Sequence, residues 1–318
     1  MEGFWDGKKE FRLGKTEHEA YQVYALRIST DRTIRTIGDL LDRYLQEVVP
    51  MKRFKSQESN IGSIKNLMPV FGSMPLSSIK ASHAIKYVDL RSKSSPHGAR
   101  RDFEVLRHSF TKAIEWGLID LNPLLGIRLP KPKSKKRYVE DWEIIEVLKV
   151  APPWLKIYIK LKLMTGIRRG DLLRLKLTDI TVEGIYVLPF KTSDSSGKSI
   201  LFTMTPALKK TIQQAISIRT KTDSEYLFPN RKGEPYAKEN GTANGFDSLW
   251  QRFIARALEQ TKLTKKFSEH DLRAKCASDA PRNRAMELMG HTNFQTTQEH
   301  YIRTPEKIEP LPNKFDDK

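Results

Sequence analysis

Arg128-Leu129-Pro130-Lys131-Pro132-Lys133-Ser134-Lys135-Lys136-Arg137 carries two prolines and six basic residues without a single acid. Proline fits neither a helix interior nor a central strand, and like charges repel, so the stretch predicts an extended linker over residues 128–137. A solvated surface loop inside one domain is the alternative from these signals alone. At 318 residues the chain is long enough for two domains, each with its own core.

Upstream of the linker the apolar spacing is helical. Thr36-Ile37-Gly38-Asp39 has the form of a capping box that opens a stripe of Leu40, Leu41, Tyr44, Leu45 and Val48. A second run points Ile61, Ile64, Met68 and Phe71 inward before Gly72 stops it, and Ser82 is expected to cap a third helix with Ala84, Ile85 and Val88 facing the core. Ala99, Phe103, Leu106, Phe110 and Ala113 follow helical spacing to Gly117. Residues 36–127 are therefore predicted to form an all-helical domain. Its basic side chains, among them Lys52, Arg53, Lys55, Lys65, Arg100, Arg101 and Arg107, suit either a solvated face or one turned to phosphates. Residues 1–35 are too few for a domain; a strand fragment at 11–14 and a short helix at 17–28 are expected there.

Downstream, residues 138–318 mix types. Helices are predicted at 140–150 and 153–164, Thr165-Gly166 breaks the second, and Gly170 begins another. Residues 184–188 and 199–202 are β-rich and flank a polar turn, which makes a hairpin, and helices return from Pro206 to the end. The expected fold class is mainly α with a small antiparallel β-sheet.

The formal net charge of +18 makes nucleic acid the default partner. Lys and Arg are spread along the whole chain, which disfavours a single membrane-binding helix, and residues 154–164, the densest apolar run, are interrupted by Lys156, Lys160 and Lys162. The N-terminal residues have no signal-peptide pattern, and one cysteine, Cys276, permits no internal disulfide, which fits a reducing cytoplasm. His270, His291, His300 and Cys276 lack zinc-site spacing, no acidic pair of the two-metal kind stands out, and no Gly-x4-Gly-Lys-Ser/Thr loop occurs. No metal or cofactor is expected.

Three segments could carry chemistry. Ser268-Glu269-His270-Asp271 fits a capping box that places His270 and Arg273 on one face near the positive end of a helix dipole, although an ordinary capped helix would look the same. Arg168 sits in a tight Gly-rich turn with Asp171 near enough to orient it or to cap the next helix; a plain interhelical turn is the alternative. Lys191 leads into the hairpin turn, where it is either simply exposed or able to protonate a leaving alkoxide. Tyr301 is the sole tyrosine after Tyr236, and a phenol beside Arg and His donors is what metal-free phosphoryl transfer needs.

Taken in order, Thr165-Gly166-Ile167-Arg168 through Leu173, His270-Asp271-Leu272-Arg273, and Leu288-Met289-Gly290-His291 followed by Thr296-Thr297 and Tyr301 resemble the boxes of the tyrosine recombinase, or phage integrase, family. The resemblance runs from about residue 36 onward. It implies a SAM-like helical core-binding domain, a basic connection, an α+β catalytic domain at 138–318, and, at 1–35, the tail of an arm-type DNA-binding segment. By matched position it implies that Tyr301 attacks the scissile phosphate to give a 3′-phosphotyrosine, that Arg168 and Arg273 hold the non-bridging oxygens, and that His270 and His291 assist with charge and protons. Lys191 would protonate the leaving 5′-oxygen, and Asp171, where Glu is commoner, would support the turn. The implied partners are double-stranded DNA at attachment sites, three further copies of the chain on DNA, and accessory bending and directionality factors, with no membrane and a place on the nucleoid of the bacterial cytoplasm. Arg100, Arg101, Arg107, Lys131, Lys133, Lys135, Lys136 and Arg137 are the candidate DNA contacts. A non-catalytic DNA-binding protein and a type IB topoisomerase-like strand transferase are the alternatives; possession of Arg168, Lys191, Arg273 and Tyr301 favours catalysis over the first, and the separate helical domain favours site recognition over the second, which would share the chemistry.

Overall fold

The computed structural model describes residues 3–5, 10–12, 19, 34–130, 136–190, 199–238, 240–291 and 293–305. The chain divides into two compact units, Met1–Lys133 and Ser134–Lys318, and the division falls within the basic stretch 128–137.

In the first unit, strands β1 (Gly3–Trp5) and β2 (Glu10–Arg12) pair antiparallel with Phe4 opposite Phe11. The fragment expected at 11–14 is thus half of a small hairpin, while the helix expected over 17–28 falls, Glu19 apart, outside the described residues. Four helices follow: α1 (Ile37–Glu47), α2 (Phe54–Phe71), α3 (Ala81–Ser92) and α4 (Pro96–Glu115). The Thr36/Asp39 box forms reciprocally, with Asp39 N–H donating to Thr36 Oγ1 at 3.1 Å and Thr36 N–H to Asp39 Oδ2 at 3.0 Å. Gly38 is required here because a Cβ would stand 2.8 Å from the carbonyl oxygen of Gly72. Helix α3 starts one residue before Ser82, and Ile85 is 41% exposed, so only Ala84 and Val88 of its expected stripe are buried. Phe103 and Phe110 of α4 are 1% and 0% exposed. Each contributes about 1.5–3 kcal/mol by leaving water.

The second unit runs α5 (Asp141–Val150), α6 (Pro153–Thr165), α7 (Arg169–Leu172), strands β3 (Gly184–Val187) and β4 (Ile200–Thr203), then α8 (Pro206–Ser217), α9 (Asn244–Gln260), α10 (Glu269–Asp279), α11 (Arg282–Met289) and α12 (Phe294–His300). β3 and β4 pair antiparallel with Ile185 opposite Phe202. Between α8 and α9 the chain is irregular rather than helical, closed by bridges such as Lys176 to Tyr226 and Pro229 to Pro235. Helix α6 packs on α8 and α10, and α10 on α11. Trp154, Tyr158, Phe228, Tyr236, Phe246 and Trp250 interlock at centroid distances from 5.2 Å, with Tyr158 and Phe246 the tightest pair. Helix α6 is thereby fixed, and with it the Gly166 turn at its end. Among the described residues no helix is long and apolar enough to cross a membrane.

Candidate active site

Helix α10 is where the site is built. Ser268 caps it, its N–H and Oγ donating to Asp271 Oδ2 at 2.7 and 2.6 Å. This box fixes the first turn, so that His270 and Arg273 leave the same face. Leu272, Ala274, Cys276 and Ala277 are all buried, which seats α10 deep within the unit.

Arg273 is 2% exposed. Its Nη1 donates to the carbonyl of Gly166, at the end of α6, and its Nη2 to that of Met289, the last residue of α11, at 2.7 Å. One guanidinium therefore ties together three segments that are far apart in sequence. Its Cζ lies 5.2 Å from the centroid of the Tyr301 ring. Burial pulls its pKa down, and the nearby Tyr301 side chain works against that.

Gly166 makes this geometry possible. It adopts φ +62°, and a Cβ there would lie 2.4 Å from Met289 Cε and 3.2 Å from Cys276 Sγ. Gly166→Ala is expected to cost about 1–2 kcal/mol for the left-handed conformation alone. Urea unfolding checks this; a midpoint equal to the native protein's would mean that the turn relaxes without strain.

Two imidazoles flank Tyr301, with ring centroids at 5.3 Å for His270 and 5.1 Å for His291. The His270 surface is exposed, yet protein packed round the ring, and then the nearby Lys162 charge, pull its pKa down to about 4. Both effects favour the neutral imidazole. His291 follows Gly290, whose φ of +58° ends α11, and its Nδ1 shares a 2.8 Å hydrogen bond with Thr297 Oγ1. Thr297 is fully buried and also accepts the Tyr301 N–H on its carbonyl at 2.9 Å, so one residue holds both His291 and Tyr301.

Arg168, half-buried, precedes α7 and lines a cleft of about 1190 Å³ with Arg137, Arg169, Ser268, His270 and Tyr301. Its charge is near enough to press on that of Arg273. Asp171 departs from expectation. Its backbone N–H donates to the Arg168 carbonyl at 3.0 Å, but its carboxylate neither pairs with the Arg168 side chain nor caps α7; Oδ1 accepts Phe190 N–H at 3.0 Å and Arg174 Nη2 at 3.4 Å. Asp171 thus fastens the backbone one residue before Lys191, which itself lies outside the described residues.

The candidate DNA contacts divide in the same way. Arg101 and Lys136 are exposed, and Lys131, Lys133 and Lys135 lie outside the described residues. Arg100 donates to the Leu129 carbonyl at 2.9 Å, and Arg107 pairs with Glu104. Arg137, assigned above to the linker, instead belongs to the second unit: it pairs with Glu143 and donates to the Lys265 carbonyl at 3.2 Å.

Sequence reasoning missed the charges beneath His270. Lys162, 0% exposed, sits 2.8 Å from Glu269 Oε1, which also accepts the Tyr158 hydroxyl at 2.7 Å. Lysines on an apolar run read as solvated, and no local pattern pairs residue 162 with residue 269. Breaking a buried pair strands the partner's charge, so Lys162→Met is expected to cost about 3–5 kcal/mol. Lys162→Met combined with Glu269→Gln should recover part of that in thermal melts; no recovery would refute the pairing.

The sequence pattern of the phage integrase family matches residues 139–307. The integrase of Enterobacteria phage 434 is 26% identical over 274 residues, covering 77% of this chain and 74% of that one. A XerC-like tyrosine recombinase of Caldanaerobacter subterraneus is 25% identical, covering 92% of this chain and 87% of that one. Among solved structures, a lambda integrase tetramer bound to a Holliday junction superposes with a TM-score of 0.69 at 22% identity, covering 96% of this chain and 95% of that one. The Tn1549 transposon integrase in complex with circular intermediate DNA superposes at 0.66 and 17% identity, covering 85% and 96%. With the family pattern spanning more than half of the chain and the fold shared, this protein belongs to the phage integrase family and is a site-specific recombinase of the tyrosine type.

Proposed function

We propose that the protein is the integrase of a prophage or mobile element, which cuts and rejoins double-stranded DNA at attachment sites through Tyr301. The observation that carries this is the Tyr301 phenol set between two imidazoles and above a buried arginine. The phenolic oxygen attacks the scissile phosphorus, forming the O–P bond as the bond to the 5′-oxygen breaks; His270, its ring 5.3 Å from that of Tyr301, is placed to assist the departure of the phenolic proton. Arg273 and Arg168 supply positive charge for the phosphate oxygens in the transition state. Lys191 protonates the departing 5′-oxygen. Rejoining is the reverse, with a 5′-hydroxyl attacking the phosphotyrosine, so the bond energy is conserved without ATP. Strand exchange by four protomers through a four-way junction is supported by the lambda integrase tetramer bound to a Holliday junction. Accessory bending and directionality factors, and a place on the bacterial nucleoid, complete the proposal.

A duplex bearing the core site, nicked so that the fragment after the scissile phosphate diffuses away, tests it. A detergent-stable protein–DNA adduct should accumulate, equally with and without EDTA, and peptide mapping should place it on the Tyr301 peptide. No adduct on the cognate site, or cleavage that EDTA abolishes, would end this assignment.

A further inference from the structure

The segment after Tyr301 is fastened to both ends of α10. Ser278 Oγ, on the last turn, lies 3.0 Å from the Tyr301 carbonyl and 2.8 Å from that of Ala274, sharing its one proton, and accepts Arg303 N–H at 2.9 Å. The Arg303 side chain, 5% exposed, then runs back to the first turn, where Nη1 donates to Asp271 Oδ1 at 2.6 Å and to the Arg137 carbonyl at 2.9 Å. Asp271 Oδ2 is the oxygen that caps α10 through Ser268. Burial works to raise the Asp271 pKa, and hydrogen bonds from Ser268 and Arg303 more than reverse it, so the carboxylate is charged opposite the guanidinium.

Arg303 is neutralised and buried, so it is not a phosphate ligand. It stands two residues beyond Tyr301, too short a span of chain for the tyrosine to wander while the arginine is held. We propose that Arg303 is a positioning residue for the nucleophile: through Asp271 it registers the Tyr301 segment on the same helical turn that presents His270 and Arg273, and through the Arg137 carbonyl it couples that register to the extended segment that precedes α5.

This rests on Tyr301 being the nucleophile. The test is single-turnover adduct formation on the nicked core-site duplex, with either an ordinary phosphate or a 5′-bridging phosphorothiolate, alongside DNA affinity and thermal melts. Arg303→Met should slow adduct formation about 100-fold, the scale of an ångström-sized misplacement, with affinity unchanged. The sulfur substrate should not restore the rate, since a better leaving group relieves only a missing proton donor. Arg303→Lys, which keeps the charge, should recover part of the loss, and Ser278→Ala should slow the reaction about 3–10-fold by freeing one end of the clamp. Should Arg303→Met fail to fold, Arg303→Lys and Ser278→Ala decide alone. Native rates in these variants, rescue by the sulfur substrate, or a parallel loss of affinity would overturn the proposal. Absence of any adduct with the native protein would instead overturn the Tyr301 assignment.

Discussion

Tyr301→Phe is expected to yield no covalent adduct on the nicked core-site duplex, while binding that duplex as tightly as the native protein. The substitution deletes one oxygen. The ring remains half-buried between His270 and His291, so its packing persists. What disappears is the atom that bonds to phosphorus, and removing a covalent nucleophile costs at least about 10⁴-fold in other enzymes even when every supporting group stays. Arg273 keeps its charge and its hold on the Gly166 and Met289 carbonyls, so affinity has no reason to fall. An adduct that survives in Tyr301→Phe would move the nucleophile elsewhere.

The second large effect is expected from Arg273→Lys, a change that keeps the charge. A planar guanidinium can hold the Gly166 and Met289 carbonyls at once while keeping its charge beside the Tyr301 ring; an ammonium cannot match that fork. Loss of transition-state stabilisation should slow adduct formation about 10²–10³-fold. The two carbonyls, deprived of their buried donor, should cost about 1–3 kcal/mol in stability as well. Melts and single-turnover rates on the same preparation separate the two. A rate loss with no stability loss would show that Arg273 does not brace the three segments as its hydrogen bonds indicate.

The helical unit was legible from sequence where apolar spacing was strict, as at Leu40, Leu41 and Tyr44 or at Phe103, Leu106 and Phe110, because burial of a stripe is what makes those helices stable. It was less so at α3, where Ile85 matched the stripe and yet lies at its edge. The irregular run between α8 and α9 was misread as helical although Pro229, Gly233, Pro235 and Gly241 mark turns, two of them glycines at positive φ. In the site, His270, Arg273, His291 and Tyr301 could be named because motif order carries them. Lys162, Glu269 and Arg303 could not, since each acquires its meaning from a partner over 30 residues away, or over 100 in the case of Lys162, and the spacing that identifies a helix face holds no information about such pairs.

Cys276 is 5% exposed, with its thiol pushed up to about 11, chiefly by burial, and it lies under the Gly166 turn beside Met289. A thiol reagent can reach it only when its packing against the Gly166 turn and Met289 comes apart. Because no other cysteine competes, the labelling rate of the native protein measures how often that packing opens, and its slowing upon addition of DNA would record, without any mutation, how far bound substrate steadies the turn beneath Tyr301.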